Sequence, residues 1–257
     1  YETLDRTVSA SLEGRHTDHQ GWLTLYRRAI DWSVRRGSPA PDGRITLEVL
    51  RSTISEKQPR PLDQEFRVPV GYVPPDLEFA DAFLNAAVTG AWNIRVLWGS
   101  PGQGKSTFLS HLCSRFAERN LPFVRHHYFL DLQDTSDRFR LKGVTRSLIA
   151  QMQATDALVL PPAGDDAENL RDWLFAYSEA HAAGGRRFFI VVDGLDHVWR
   201  ENDAEIAPME ALFAQLLPLH QNATLILGTQ RVNSAQMPKR LTRYLEPEDW
   251  IELPRMS

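Results

Sequence analysis

Two kinds of apolar spacing alternate along the chain from about residue 77 onward. Short apolar-rich stretches occur at Ile94–Leu97, Phe123–Leu130, Phe188–Val192 and Thr224–Leu227, the third of them continuous, and Trp250, Ile251 and Leu253 form a fifth that Pro254 ends. Such runs are the signature of strands buried on both faces of a parallel sheet. Between them, apolar residues recur at helical spacing. One stripe is Phe108, Leu109, Leu112, Cys113, Phe116 and Ala117; a second is Val144, Leu148, Ile149 and Met152; a third is Leu170, Trp173, Leu174 and Tyr177. Ahead of the first strand, Leu77, Ala80, Phe83, Leu84 and Ala87 share a helix face, with Asp76 as its cap and Gly90 at its end. Strands alternating with helices predict a doubly wound parallel α/β sheet of five strands.

The first 60 residues read differently. Asp18 can cap a helix bearing Trp22, Tyr26, Ala29 and Ile30, and Thr46 can cap another through Leu50 and Ile54. A small helical region, either an adaptor or the tail of an upstream effector domain, is expected there. Pro59, Pro61, Pro69, Pro74 and Pro75 then interrupt regular structure, so residues 61–75 are expected to be a linker laid over a domain spanning 76–257.

The candidate chemistry lies where the first strand meets the first helix of the sheet, in NIRVLWGSPGQGKST, residues 93–107. Gly99, Gly104, Lys105 and Ser106 satisfy G-x-x-x-x-G-K-[ST], with Gly102 and Gln103 inside the loop. Glycines there let backbone N–H groups turn onto a phosphate, and the following helix adds its positive end. Lys105 is expected to reach the β and γ phosphates, Ser106 to ligate Mg²⁺, and Thr107 to meet the α phosphate.

The run Phe188–Val192 delivers Asp193 to the carboxyl edge of the sheet, where a carboxylate can hold Mg²⁺ opposite Ser106. Asp196 and His197 follow within DGLDH and are candidates to orient the water that attacks the γ phosphate. The fourth strand leads through Gly228-Thr229-Gln230 to Arg231, whose guanidinium is a candidate sensor of the terminal phosphate. His126 and His127 would point to opposite faces of a strand and cannot chelate one metal together, so structural roles are expected for both.

Composition narrows the field. The 257 residues are 42% hydrophobic and 24% charged, an ordinary globular balance. The net charge of -4, and the lack of a long Lys/Arg block, argue against direct nucleic-acid binding. Arg27, Arg28, Arg35 and Arg36 share their segment with Asp18 and Asp31 and read as a solvated helix face. A single cysteine, Cys113, on an apolar stripe excludes a disulfide framework. No apolar run reaches the roughly 18 residues of a membrane span, so a cytoplasmic protein is expected.

WGSPGQGKST, FFIVVDGLDH, LILGTQR and IELP together resemble the STAND class of P-loop NTPases, the signal-transduction ATPases that include NACHT and NB-ARC modules; the resemblance covers about residues 66–257. It implies an ASCE-type sheet, with Asp193 as the Mg²⁺ ligand, Asp196 in a second acidic pair and Arg231 as the sensor. His197 stands where the family has glutamate, which bears on hydrolysis rather than binding. HHYFLDLQDTSDRF also resembles the stretch after the second strand in bacterial antiviral members.

The resemblance implies an Mg²⁺-dependent ATPase that hydrolyses slowly. ADP holds such a module closed, while ATP favours an open form that assembles into a homo-oligomer and activates an effector, here in anti-phage defence. Tyr1 is not an initiator and IELPRMS ends abruptly, so a lid and a region sensing a protein trigger are expected in a longer protein. Two other readings are a non-hydrolysing, nucleotide-bound interaction scaffold and an AAA+-type DNA-associated ATPase.

Overall fold

The structure, a computed structural model, describes residues 62, 64, 66, 68–129, 138–155, 169–198, 206–230 and 236–255. All lie in the second of two units into which the chain divides, Pro61–Ser257. The helices expected within residues 1–60, and Arg231, lie outside the described residues.

The elements run α1 (Leu77–Thr89), β1 (Ile94–Gly99), α2 (Lys105–Glu118), β2 (Phe123–His127), α3 (Leu141–Thr155), α4 (Leu170–Ala183), β3 (Phe188–Asp193), α5 (Ala207–Leu216), β4 (Ala223–Gln230), the single turn α6 (Lys239–Thr242) and β5 (Trp250–Glu252). Among the described residues, five strands form one sheet in the order β2-β3-β4-β1-β5, and every pairing is parallel. All five strands therefore finish at the same edge. β4 lies between β1, which ends in the glycine loop, and β3, which ends in Asp193.

Period-two alternation sorts the sheet's side chains onto two cores. Leu97, Phe189, Val191 and Ile226 pack with Phe83, Phe108, Leu109, Leu112 and Phe116, so α1 and α2 cover one face. Val96, Val124, Ile190, Val192, Leu225 and Leu227 pack with residues of α3, α4 and α5 on the other. Phe116 stacks on Phe189 with centroids 4.1 Å apart, fastening α2 across the centre of its face. Cys113 is buried in this core, and burial pushes its thiol up to about 12, so it stays protonated as packing.

Local signals account for the helix ends. Asp76 accepts the Phe79 N–H at 2.9 Å, and Gly90 closes α1 at φ 71°, the left-handed conformation that favours glycine. Asn169 caps α4 by accepting the Asp172 N–H.

Some strand ends and one helix differ from expectation. β2 stops at His127 rather than Leu130: Tyr128 N–H makes a last bond to Asp193 O, after which β3 turns away at Gly194, φ 77°. β4 continues past Leu227 to Gln230 because β1 pairs with it as far as Gly99. α5 has no counterpart among the expected elements, although Met209, Leu212, Phe213 and Leu216 recur at helical spacing and are buried.

At the outer side of β2, side chains take the place of a neighbouring strand. Gln151 accepts the Arg125 N–H and donates to the Arg125 carbonyl, both at 2.9 Å. One residue pair further along, Gln64 accepts the His127 N–H at 2.8 Å and Arg138 donates to the His127 carbonyl at 3.0 Å. Gln64, from the proline-rich stretch, is thus buried against the sheet. Among its described residues, the stretch from 62 to 75 contains neither helix nor strand.

Candidate nucleotide site

The loop between β1 and α2 turns twice through the left-handed region, at Gly102 (φ 72°) and Gly104 (φ 88°). Gly104 occupies the N-cap position of α2, and no side chain among the described residues caps this helix. The first-turn N–H groups, including those of Ser106 and Thr107, therefore face the loop with the positive end of the helix behind them. Lys105 is 8% exposed; its Nζ donates to Gly99 O at 3.0 Å and Ser100 O at 2.8 Å, which holds the ammonium inside the curve of the loop.

Gln103 braces this curve. Its Oε1 accepts the Ser100 N–H at 2.7 Å, and its Nε2 donates to the Leu253 carbonyl just past β5.

Asp193 is 2% exposed at the end of β3. Burial alone would raise its pKa. His127, by hydrogen bond and charge, outweighs burial and, with Ser106 and the Gly194 backbone beside the carboxyl, holds it below its ordinary range. Ser106 is one of the groups that lower the Asp193 pKa, so the expected metal hydroxyl and the expected metal carboxylate are neighbours. This all-oxygen pair beside an anion-binding loop suits Mg²⁺, which takes one or two protein ligands and completes its shell with phosphate and water. Ser106 and Asp193 would hold the ion. No group of three or more metal-ligating side chains occurs among the described residues.

The DGLDH segment folds back onto β4. Gly194 N–H and Leu195 N–H both donate to Gly228 O, at 3.0 and 3.2 Å. Asp196, 4% exposed, accepts the Gln230 N–H at 2.9 Å, which fixes the strand end immediately before Arg231. His197 stacks face to face on Phe129, with centroids 4.6 Å apart and planes 6° apart, and its Nε2 is 4.0 Å from Asp196 Oδ2.

Lys105, Ser106, Asp193, Asp196 and His197 are thus gathered at the carboxyl edge. Two residues to which the sequence reading gave no part in the site join them. His127, the last residue of β2, is paired in register with Asp193 and lies 3.1 Å from its carboxylate. Gly228 lies where any side chain would strike Asp193: a Cβ there would sit 2.1 Å from Oδ1. Knowing that β3 lies between β2 and β4 would have exposed both, since the two residues stand beside Asp193 on the neighbouring strands.

An all-parallel sheet with the glycine loop on one strand and a buried carboxylate two strands away defines a P-loop NTPase. The chain belongs to the NACHT-domain family, whose sequence model matches residues 93–257. It is a nucleotide-binding module. Human NLRC5 is 28% identical over 174 residues, a match covering 67% of this chain and 8% of that protein. Among solved structures, Aeropyrum pernix ORC2 in its ADPNP–ADP complexes aligns with a TM-score of 0.47 and 14% identity, covering 73% of this chain and 51% of that one. AMPPCP-bound DnaA from Aquifex aeolicus aligns with a TM-score of 0.41 and 14% identity, covering 75% and 50%. The chain thus spans about half of each of those structures and a small part of NLRC5. Among the described residues, no helix is long and apolar enough to cross a membrane.

Proposed function

We propose that this domain is an Mg²⁺-dependent, ATP-binding switch that hydrolyses slowly. The observation that carries the reading is a buried carboxylate, Asp193, with Ser106 beside it, next to a loop whose lysine is already turned inward. In this reading the N–H groups of the loop and of the first turn of α2 bind the phosphates. Lys105 exchanges its carbonyl partners for β- and γ-phosphate oxygens, and Thr107 meets the α phosphate. Ser106 and Asp193 hold magnesium, which when bound offsets charge on the β and γ phosphates. Arg231 follows a strand end pinned by Asp196, a suitable mount for a guanidinium that reads the terminal phosphate.

Slow turnover is supported by how DGLDH is used. Asp196 binds a backbone N–H, and the His197 ring lies flat on Phe129. Neither is set up as a strong general base. Replacing His197 with glutamate is expected to raise single-turnover phosphate release about 10- to 100-fold, at or below the usual contribution of a positioned base. A fall in release would make the imidazole itself functional.

Opening on ATP, homo-oligomerisation, response to a protein trigger and effector activation in bacterial antiviral defence are the wider role we assign, in the cytoplasm; the motif set WGSPGQGKST, FFIVVDGLDH, LILGTQR and IELP supports it. The deciding experiment identifies the nucleotide retained on purification, then follows phosphate release in a single turnover. Bound ADP with slow release from added ATP is expected. Retained, unhydrolysed ATP would instead favour a nucleotide-locked scaffold, the reading to which the uses of Asp196 and His197 also lend support.

A further inference from the structure

We propose that His127 is the positioning residue of the magnesium carboxylate: its Nδ1–H fixes the rotation of Asp193, and Gln64 fixes His127. The inference rests on the magnesium role of Asp193 proposed above.

His127 and Asp193 are register partners on adjacent parallel strands, so their side chains emerge side by side on the same face of the sheet. The imidazole is fully buried, and Nδ1 is 3.1 Å from Asp193 Oδ2. An ionised carboxylate only accepts, so Nδ1 carries the proton. His127 Nε2 is buried and finds no hydrogen-bond partner among the described residues. An unsatisfied buried polar atom is costly, and an apolar side chain would fill this strand end without that cost. The return on placing an imidazole here is the bond to Asp193.

Neighbours hold the imidazole in turn. The Phe66 ring stacks against it with centroids 5.8 Å apart. Gln64 Oε1 accepts the His127 N–H at 2.8 Å, while Gln64 Nε2 donates to His126 Nδ1 at 3.3 Å and Ser147 Oγ at 3.2 Å. His126 is compatible with this arrangement, because its Nε2–H donates to Arg138 O at 3.2 Å and leaves Nδ1 as an acceptor. Gln64 from the proline-rich stretch thus anchors the backbone of His127, and the imidazole of the same residue binds the carboxylate. With Oδ2 taken by His127, Oδ1 lies over Gly228. Partners that orient a metal ligand from behind typically contribute 10- to 100-fold to metal affinity.

The test compares three variants by titrating a fluorescent ADP analogue, first in EDTA and then against increasing Mg²⁺. His127→Leu removes the donor. His127→Asn places an amide nitrogen near the position of Nδ1, whereas His127→Gln reaches toward that of Nε2. For His127→Leu, affinity in EDTA is expected to stay within about twofold of the original chain, while the Mg²⁺ concentration giving half of the enhancement rises about 10- to 100-fold. His127→Asn should restore that midpoint to within about threefold, and His127→Gln should not; the Asn–Gln pair decides the matter if the leucine variant fails to fold. An unshifted midpoint in the leucine and glutamine variants would overturn the proposal. So would a parallel loss of affinity in EDTA and Mg²⁺ in all three, which is the mark of packing alone. If the original chain binds nucleotide with no response to Mg²⁺, the magnesium reading of Asp193 fails instead, and this inference with it.

Discussion

Replacing Lys105 with alanine is expected to weaken ATP binding about 100-fold, equivalent to about 3 kcal/mol, in an equilibrium titration. The figure corresponds to two charge-assisted hydrogen bonds at the low end of their usual contribution, one to each of the two outer phosphates. The side chain needs little reorganisation to make them, because Nζ already sits within the loop on Gly99 O and Ser100 O. Loss of those two carbonyl contacts should cost the apo fold no more than about 2–3 kcal/mol, a drop of several degrees in melting temperature. A folded Lys105→Ala variant with unchanged affinity would remove the phosphate-loop assignment.

Gly228→Ala is expected to disturb the other half of the site. No positive φ is involved; the constraint is space. The added carbon would lie 2.1 Å from Asp193 Oδ1 and 2.5 Å from Leu109 Cδ1. Leu109 is fully buried in the core under α2, and Asp193 is buried and held by His127, so neither can retreat freely. Crowding of this kind typically costs about 1–3 kcal/mol, which lowers the melting temperature by about 3–10 °C in a unit of this size. Displacement of the carboxylate should also reduce the Mg²⁺-dependent part of nucleotide affinity at least tenfold, about the effect of losing a metal-orienting partner. Calorimetry and titration with and without EDTA check the two effects separately. A variant that melts and binds Mg²⁺–nucleotide like the original would show that β4 can move away from Asp193.

The strands and most of the helices were legible because their apolar spacing is local: five short apolar-rich stretches mark the sheet, and the stripe from Phe108 to Ala117 falls within α2, Lys105–Glu118. The glycine loop and Asp193 were legible because each follows a buried strand. The lateral order of the strands was not, since hydrophobic period says which residues are inside but not which strand stands beside which. His127 and Gly228 acquire meaning only through that order, β2 and β4 on either side of β3. Read alone, His127 is one of two histidines in a strand, and Gly228 is a glycine near a strand end. Gln64 was hidden for another reason. It lies in a stretch broken by prolines, and its attachment is a side-chain amide meeting a strand edge, an interaction with no periodic trace in sequence.

That edge has a bearing on how the molecule can meet other chains. The outermost strand of an open sheet ordinarily offers a row of amide and carbonyl groups on which a foreign strand can template itself. Along β2 the outward N–H groups of Arg125 and His127 are already spent on Gln151 and Gln64, and their carbonyls on Gln151 and Arg138. Two glutamines and an arginine act there as a strand made only of side chains. At these positions the domain is guarded against runaway sheet extension into fibres, and a partner arriving on this flank must recognise side chains rather than add a sixth strand.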